Sequence, residues 1–109
     1  MLETGAEVQR EAIQQVVRQI VGQFCPEKVI LFGSYAYGVP TKDSDVGLLV
    51  VMEADGNPLH AAAHISAAID HPFPLDILVF EPRQLRASLE RGAVFATEVA
   101  SRGVVLYEA

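Results

Sequence analysis

A chain of 109 residues holds one hydrophobic core and leaves no room for an added substrate domain, so a single domain over 1–109 is expected. Half of its residues are hydrophobic, yet no apolar run reaches the roughly 18 residues that span a bilayer, which excludes a membrane-spanning helix. Fourteen acidic against eight basic side chains give a net charge of −6, which opposes a polyanion and argues against direct nucleic-acid binding; a free nucleotide held with a metal, or a basic protein partner, suits it better.

The first residues, Leu2-Glu3-Thr4-Gly5-Ala6-Glu7, lack the basic-then-apolar pattern of a signal segment, and cytoplasmic residence is the default expectation. Ala12, Ile13, Val16, Val17, Ile20, Val21 and Phe24 fall at helical spacing and predict an amphipathic helix over 6–24 that Pro26 terminates. Cys25, the only cysteine, has no thiol partner and reads as a small buried hydrophobe. Val29-Ile30-Leu31-Phe32 is a continuously apolar run of strand formers, expected as a buried strand. Residues 34–44 read as a turn with one turn of helix, and Val46 to Met52 as a second strand closed by Asp55-Gly56-Asn57-Pro58. Leu59 to Asp70 carries Ala61, Ile65, Ala68 and Ile69 on one helical stripe, and Pro72 and Pro74 stop it before a third strand, Leu75 to Phe80. Arg83 to Arg91 and Ala93 to Arg102 read as two short helices separated by Gly92, with Gly103 ending the second before a last strand, Val104 to Tyr107. The condensed order α-β-β-α-β-α-β predicts an α/β (α+β) domain, a small mixed sheet with helices packed on it.

The chemistry-bearing residues sit where strands meet turns. A strand ending in Gly33-Ser34 and turning into a helix exposes backbone N–H groups that can hold phosphate oxygens, and the Ser34 hydroxyl adds a donor. Asp45 opens the second strand, and position 47, two residues on, shares its face about 7 Å along the chain. Asp76 stands alone among apolar residues near the start of the third strand. If the two strands are neighbours, Asp45 and Asp76 converge, and magnesium, which takes oxygen ligands and bridges to substrate phosphates, needs only one or two carboxylates plus a nucleotide.

Gly33-Ser34, ten residues, then Asp45, with Asp76 on a later strand, resembles the nucleotidyltransferase superfamily that includes the DNA polymerase beta family. The signature of that superfamily is G-S, ten residues, D-x-D, and a third carboxylate. The chain is most similar to the minimal nucleotidyltransferases, short proteins paired with a helical HEPN partner as antitoxin and toxin. The resemblance implies that Gly33 and Ser34 contact a triphosphate, that Asp45 binds magnesium, and that Asp76 binds magnesium or takes the proton of the attacking hydroxyl. It implies transfer of a nucleotide, AMP from ATP, onto a hydroxyl of a partner protein. Two positions depart from the pattern. Gly47 stands where the second aspartate of D-x-D belongs, and Tyr37 where an arginine is usual. The loss of a bridging carboxylate is expected to slow transfer more than tenfold, because metal stabilisation is worth several kcal/mol. Asp43 is a candidate substitute ligand from the preceding turn.

Other readings of the same residues remain open. Asp76 can be a strand-start carboxylate held by backbone N–H groups. His60 and His64, four apart, have the spacing of a zinc pair but no third ligand, and a solvated helix flank is the reading preferred here. Tyr35 and Tyr37 can stack on a base, accept AMP, or pack on the first helix. Neither a dinucleotide fingerprint nor a P-loop is present. Two functions therefore stand side by side: a metal-dependent nucleotidyltransferase, and a binding module of the same fold that neutralises or scaffolds a HEPN-like partner. The face shared by Asp45, Leu49 and Val51 is apolar beyond the aspartate and needs a cover from the chain's own helices, a second copy or a partner.

Overall fold

Val46-Gly47-Leu48-Leu49-Val50-Val51 is buried along its whole length, and a strand without a polar face has to lie inside a sheet covered on both sides. The computed structural model, which describes residues 5–40 and 44–109 and the first four of them as backbone only, places it there. The elements in chain order are α1 (Gly5–Phe24), β1 (Lys28–Phe32), α2 (Ser34–Tyr37), β2 (Val46–Val51), α3 (Pro58–Ala68), β3 (Leu75–Phe80), α4 (Pro82–Glu90), α5 (Val94–Arg102) and β4 (Val104–Glu108). The mixed sheet has the order β3-β2-β1-β4, with β1 antiparallel to β2 and β4, and β2 parallel to β3 across the α3 crossover.

The alternation of side chains divides the core in two. Val29, Leu31, Val46, Leu48, Val50, Ile77 and Val79 point to one face and pack against Ile13, Val16, Val17 and Ile20 of α1 and Ile65 of α3. Ile30, Leu49 and Val51 point to the other, where Val99 and Phe95 of α5 and Leu85 of α4 cover them. The α/β expectation therefore holds, as helices on both faces of a four-stranded mixed sheet. The cover over Leu49 and Val51 comes from the chain's own α4 and α5.

Local chemistry sets most boundaries. Asn57 caps α3 by accepting from the Leu59 N–H at 2.9 Å, Pro58 occupies the first turn, and α3 ends at Ala68, two residues before the expected Asp70. The Glu81 N–H donates to the Gln84 side chain at 3.3 Å, and Glu81 Oε2 accepts from the Ala54 N–H at 3.2 Å, which ties the start of α4 to the loop after β2. Gln19 of α1 makes a reciprocal pair with the Asp70 backbone, at 2.9 Å to its carbonyl and 2.8 Å from its N–H. Cys25 corrects the expectation of burial. It takes a left-handed conformation, φ 50°, as the residue that closes α1 through its N–H to the Val21 carbonyl, and the geometry of that cap leaves it exposed, while Pro26 behind it is buried. No helix among the described residues is long and apolar enough to cross a membrane.

Candidate active site

Opposite strand directions bring the end of β1 to the beginnings of β2 and β3. Phe32 pairs with Gly47, and Gly47 pairs with Asp76, so the three residues form one row across three strands with their side chains on one face. Asp45, two residues before Gly47, falls on that face as well. From the strand spacing and rise, Asp45 and Asp76 lie about 8 Å apart between Cα atoms, a separation that two aspartate side chains reaching toward one another can close onto a shared cation. Both carboxylates are exposed, although Val46 between Asp45 and Gly47 is fully buried. Helix α5 reaches this end of the face through Phe95 on Phe32, while Asp45 and Asp76 stay exposed.

Gly33 follows Phe32 directly. Its backbone, φ 83° and ψ −159°, lies in a region that is essentially restricted to glycine, and it turns the chain out of the sheet into the single helical turn of α2. The Gly33 carbonyl accepts from the Ala36 and Tyr37 N–H groups at 2.9 and 3.0 Å, and the Ser34 carbonyl accepts from Gly38 at 3.1 Å. The Ser34 N–H opens the turn, ahead of any carbonyl of the turn that it could bond. The turn, Asp45 and Asp76 thus share one end of the sheet, as the motif requires.

The structure adds two residues that the sequence reading did not single out. At Gly47, a Cβ would sit 2.7 Å from Cε2 of Phe32, 2.8 Å from Cζ and 2.9 Å from Cδ2, so the Phe32 ring fills the room a second carboxylate would need. That ring packs edge-to-face on Phe95, centroids 5.2 Å apart, and Phe95 in turn meets Phe80 at 6.1 Å. The second addition is Arg102 at the end of α5, whose guanidinium lies 4.7 Å from the Tyr37 ring centroid and donates to the Tyr37 carbonyl at 3.1 Å. Neither pairing carries a sequence signal, since one depends on strand register and the other joins residues 65 apart.

The remaining candidates fall elsewhere. Tyr35 is half-buried against the core cluster to which α1 contributes, consistent with a packing role. His60 and His64 are exposed and border a depression with Phe24, Met52, Glu53 and Asp55, past the end of β2 opposite Asp45. The His64 ring meets Phe24 edge-on at 5.6 Å. Among the described residues no group of three or more His, Cys, Asp or Glu side chains is arranged to hold a metal ion. Asp43 lies outside the described residues. Asp45 and Asp76 nevertheless fit magnesium as a pair of exposed oxygen donors whose coordination a nucleotide's phosphates and water would complete.

A nucleotidyltransferase domain family model matches residues 10–99. A protein from Sulfolobus solfataricus described as a nucleotidyltransferase superimposes with a TM-score of 0.63 at 18% identity, covering 99% of this chain and 92% of its own. A toxin–antitoxin structure with AMP-PNP superimposes with a TM-score of 0.58 at 20% identity, covering 88% of this chain and 73% of its own. At these identities the likeness is one of fold. No curated protein matches the chain.

Proposed function

The chain belongs to the nucleotidyltransferase domain family, and from that premise we propose that it moves AMP from ATP onto a hydroxyl of a protein partner of the HEPN type, as the antitoxin of a toxin–antitoxin pair. The observation that carries this reading is the register Gly47 to Asp76, which sets Asp45 and Asp76 on one face beside the Gly33-Ser34 turn. Gly33 lets a phosphate approach the backbone, and the Ser34 N–H and hydroxyl donate to its oxygens. Asp45 and Asp76 would hold magnesium, which when bound supplies neutralisation of phosphate charge. The acceptor oxygen bonds to the α-phosphorus, the bond to the β-phosphate oxygen breaks, and pyrophosphate leaves. Asp76 takes the acceptor's proton. The toxin–antitoxin neighbour with AMP-PNP supports an adenine nucleotide and a protein partner as the ligands to test first.

A second reading rests on Phe32. Its ring occupies the space above Gly47, and this favours a binding module that holds nucleotide or partner with little turnover. Label transfer from [α-32P]ATP with magnesium, to the protein itself and to proteins purified with it, separates the two. Transfer that Asp45→Ala abolishes supports the transferase; silence, with MgATP still bound, supports the module; and silence without binding refutes both nucleotide readings.

A further inference from the structure

We infer that Arg102 is a positioning residue of this site: from the end of α5 it holds the single turn of α2 in place, and through the Tyr37 backbone it fixes the path of the Gly33-Ser34 turn. It touches no ligand itself, and its effect on nucleotide binding rests on the proposed nucleotide reading. A single turn is a poor helix by itself, because it fixes several dihedral angles for few hydrogen bonds. Glycines flank α2 at 33 and 38, and none of its four residues is buried. Tyr35 and Ala36 pack only partly on the core. Arg102 adds a tie from outside. Its guanidinium lies 4.7 Å from the Tyr37 ring centroid and donates to the Tyr37 carbonyl at 3.1 Å. The Tyr37 N–H in turn donates to the Gly33 carbonyl at 3.0 Å, beside the Ala36 N–H at 2.9 Å, so one residue joins Arg102 to the turn.

The other end of the tie is fixed to the strand that leads into the turn. Arg102 is the last residue of α5, where the helix dipole favours a cation. Gly103 follows it and closes the helix through its N–H to the Val99 carbonyl at 2.9 Å. Gly103 lies so close to β1 that a Cβ on it would sit 2.8 Å from Cγ2 of Ile30 and 3.1 Å from the Leu31 carbonyl oxygen. The contacts therefore close a ring: β1 runs through Phe32 to Gly33, Gly33 is bonded to Tyr37, Tyr37 to Arg102, and Arg102 adjoins the glycine seated on Leu31. In such a ring α2 has little freedom to rotate about Gly33, the residue with the widest choice of backbone angles. The turn is then formed before a phosphate arrives, and less ordering remains to be done on binding.

The test is NMR hydrogen exchange on the full chain, together with calorimetric titration of MgATP, for wild type, Arg102→Ala and Arg102→Lys. In Arg102→Ala the amides of Ala36, Tyr37 and Gly38 are expected to exchange about threefold faster or more, because a cation–π contact and a hydrogen bond are lost, while the amides of β1 and β2 keep their wild-type rates. The MgATP Kd is expected to rise about threefold, in proportion to the time the turn spends unformed. Arg102→Lys keeps a cation over the ring and a donor for the carbonyl, and is expected to recover part of both effects. A general structural role predicts instead faster exchange throughout β1 and α5 with an unchanged MgATP Kd, and that result overturns the inference. Unchanged exchange at Ala36, Tyr37 and Gly38 overturns it too. Wild type that binds no MgATP refutes the nucleotide reading; faster exchange confined to α2 in Arg102→Ala would still support the tie, and its absence would overturn it.

Discussion

Returning a carboxylate to position 47 is the obvious repair of the motif, and the structure predicts that by itself it harms the protein. In Gly47→Asp the new Cβ lies 2.7 to 2.9 Å from three atoms of the Phe32 ring, inside any normal carbon contact. The ring has to swing away, and with it goes the edge-to-face contact to Phe95 at 5.2 Å. Overpacking of this kind costs about 1–3 kcal/mol. The aromatic pair adds about 0.5–1.5 kcal/mol, for a total of about 1.5–4.5 kcal/mol before any desolvation of the carboxylate. Phe32→Ala is costly alone, about 2–3 kcal/mol, at the low end for a large-to-small change because the ring is only half-buried. It also removes the obstacle, so Phe32→Ala/Gly47→Asp should be less destabilised than the sum of the two singles by about 1–3 kcal/mol. Urea unfolding of the four proteins in the double-mutant cycle measures this coupling directly. Additivity within about 0.5 kcal/mol would refute the claim that Phe32 fills the place of the missing carboxylate. In the same cycle, label transfer from ATP is expected to rise in the double variant and not in Gly47→Asp alone.

Asp45→Asn and Asp76→Asn each weaken magnesium-dependent ATP binding more than tenfold in calorimetric titration, and chelation of the metal lowers wild type to the same level; because both side chains are exposed, neither change lowers the melting temperature. Gly33→Ala, at φ 83° and ψ −159°, destabilises by about 1–3 kcal/mol in urea unfolding and removes ATP binding with it, since the turn cannot keep its path with a Cβ in that region. Gln19→Ala removes both bonds to the Asp70 backbone and costs about 1–2 kcal/mol by urea denaturation, while leaving magnesium-dependent ATP affinity within twofold because the tie belongs to the α1 and α3 layer, on the face of the sheet opposite Asp45 and Asp76.

The elements were legible where periodicity was strong. The stripe from Ala12 to Phe24, the apolar runs at Val29 and Val46, and the proline stops at Pro72 and Pro74 each named a segment that the structure contains. The condensed order left out the single turn of α2 and joined α4 to α5, because a four-residue helix has no period to detect and Gly92 between the latter two serves equally as a break or a kink. Cys25 was misplaced because burial statistics for cysteine say nothing of a residue that closes a helix in a left-handed conformation. The face shared by Asp45, Gly47 and Asp76 was inferable once β2 and β3 were taken as neighbours. What covers it was not. Phe32 over Gly47 follows from antiparallel register, and Arg102 on Tyr37 from how α5 returns to the sheet, and neither leaves a trace in local sequence.

The most direct measurement of the central claim is a crystal structure of the full chain grown with AMP-PNP and manganese, with the metal located by its anomalous signal. The account predicts a manganese peak bridging the Asp45 and Asp76 carboxylates to the nucleotide, with the phosphates against the Gly33-Ser34 turn. A nucleotide bound elsewhere, or manganese ligated without either aspartate, would contradict it.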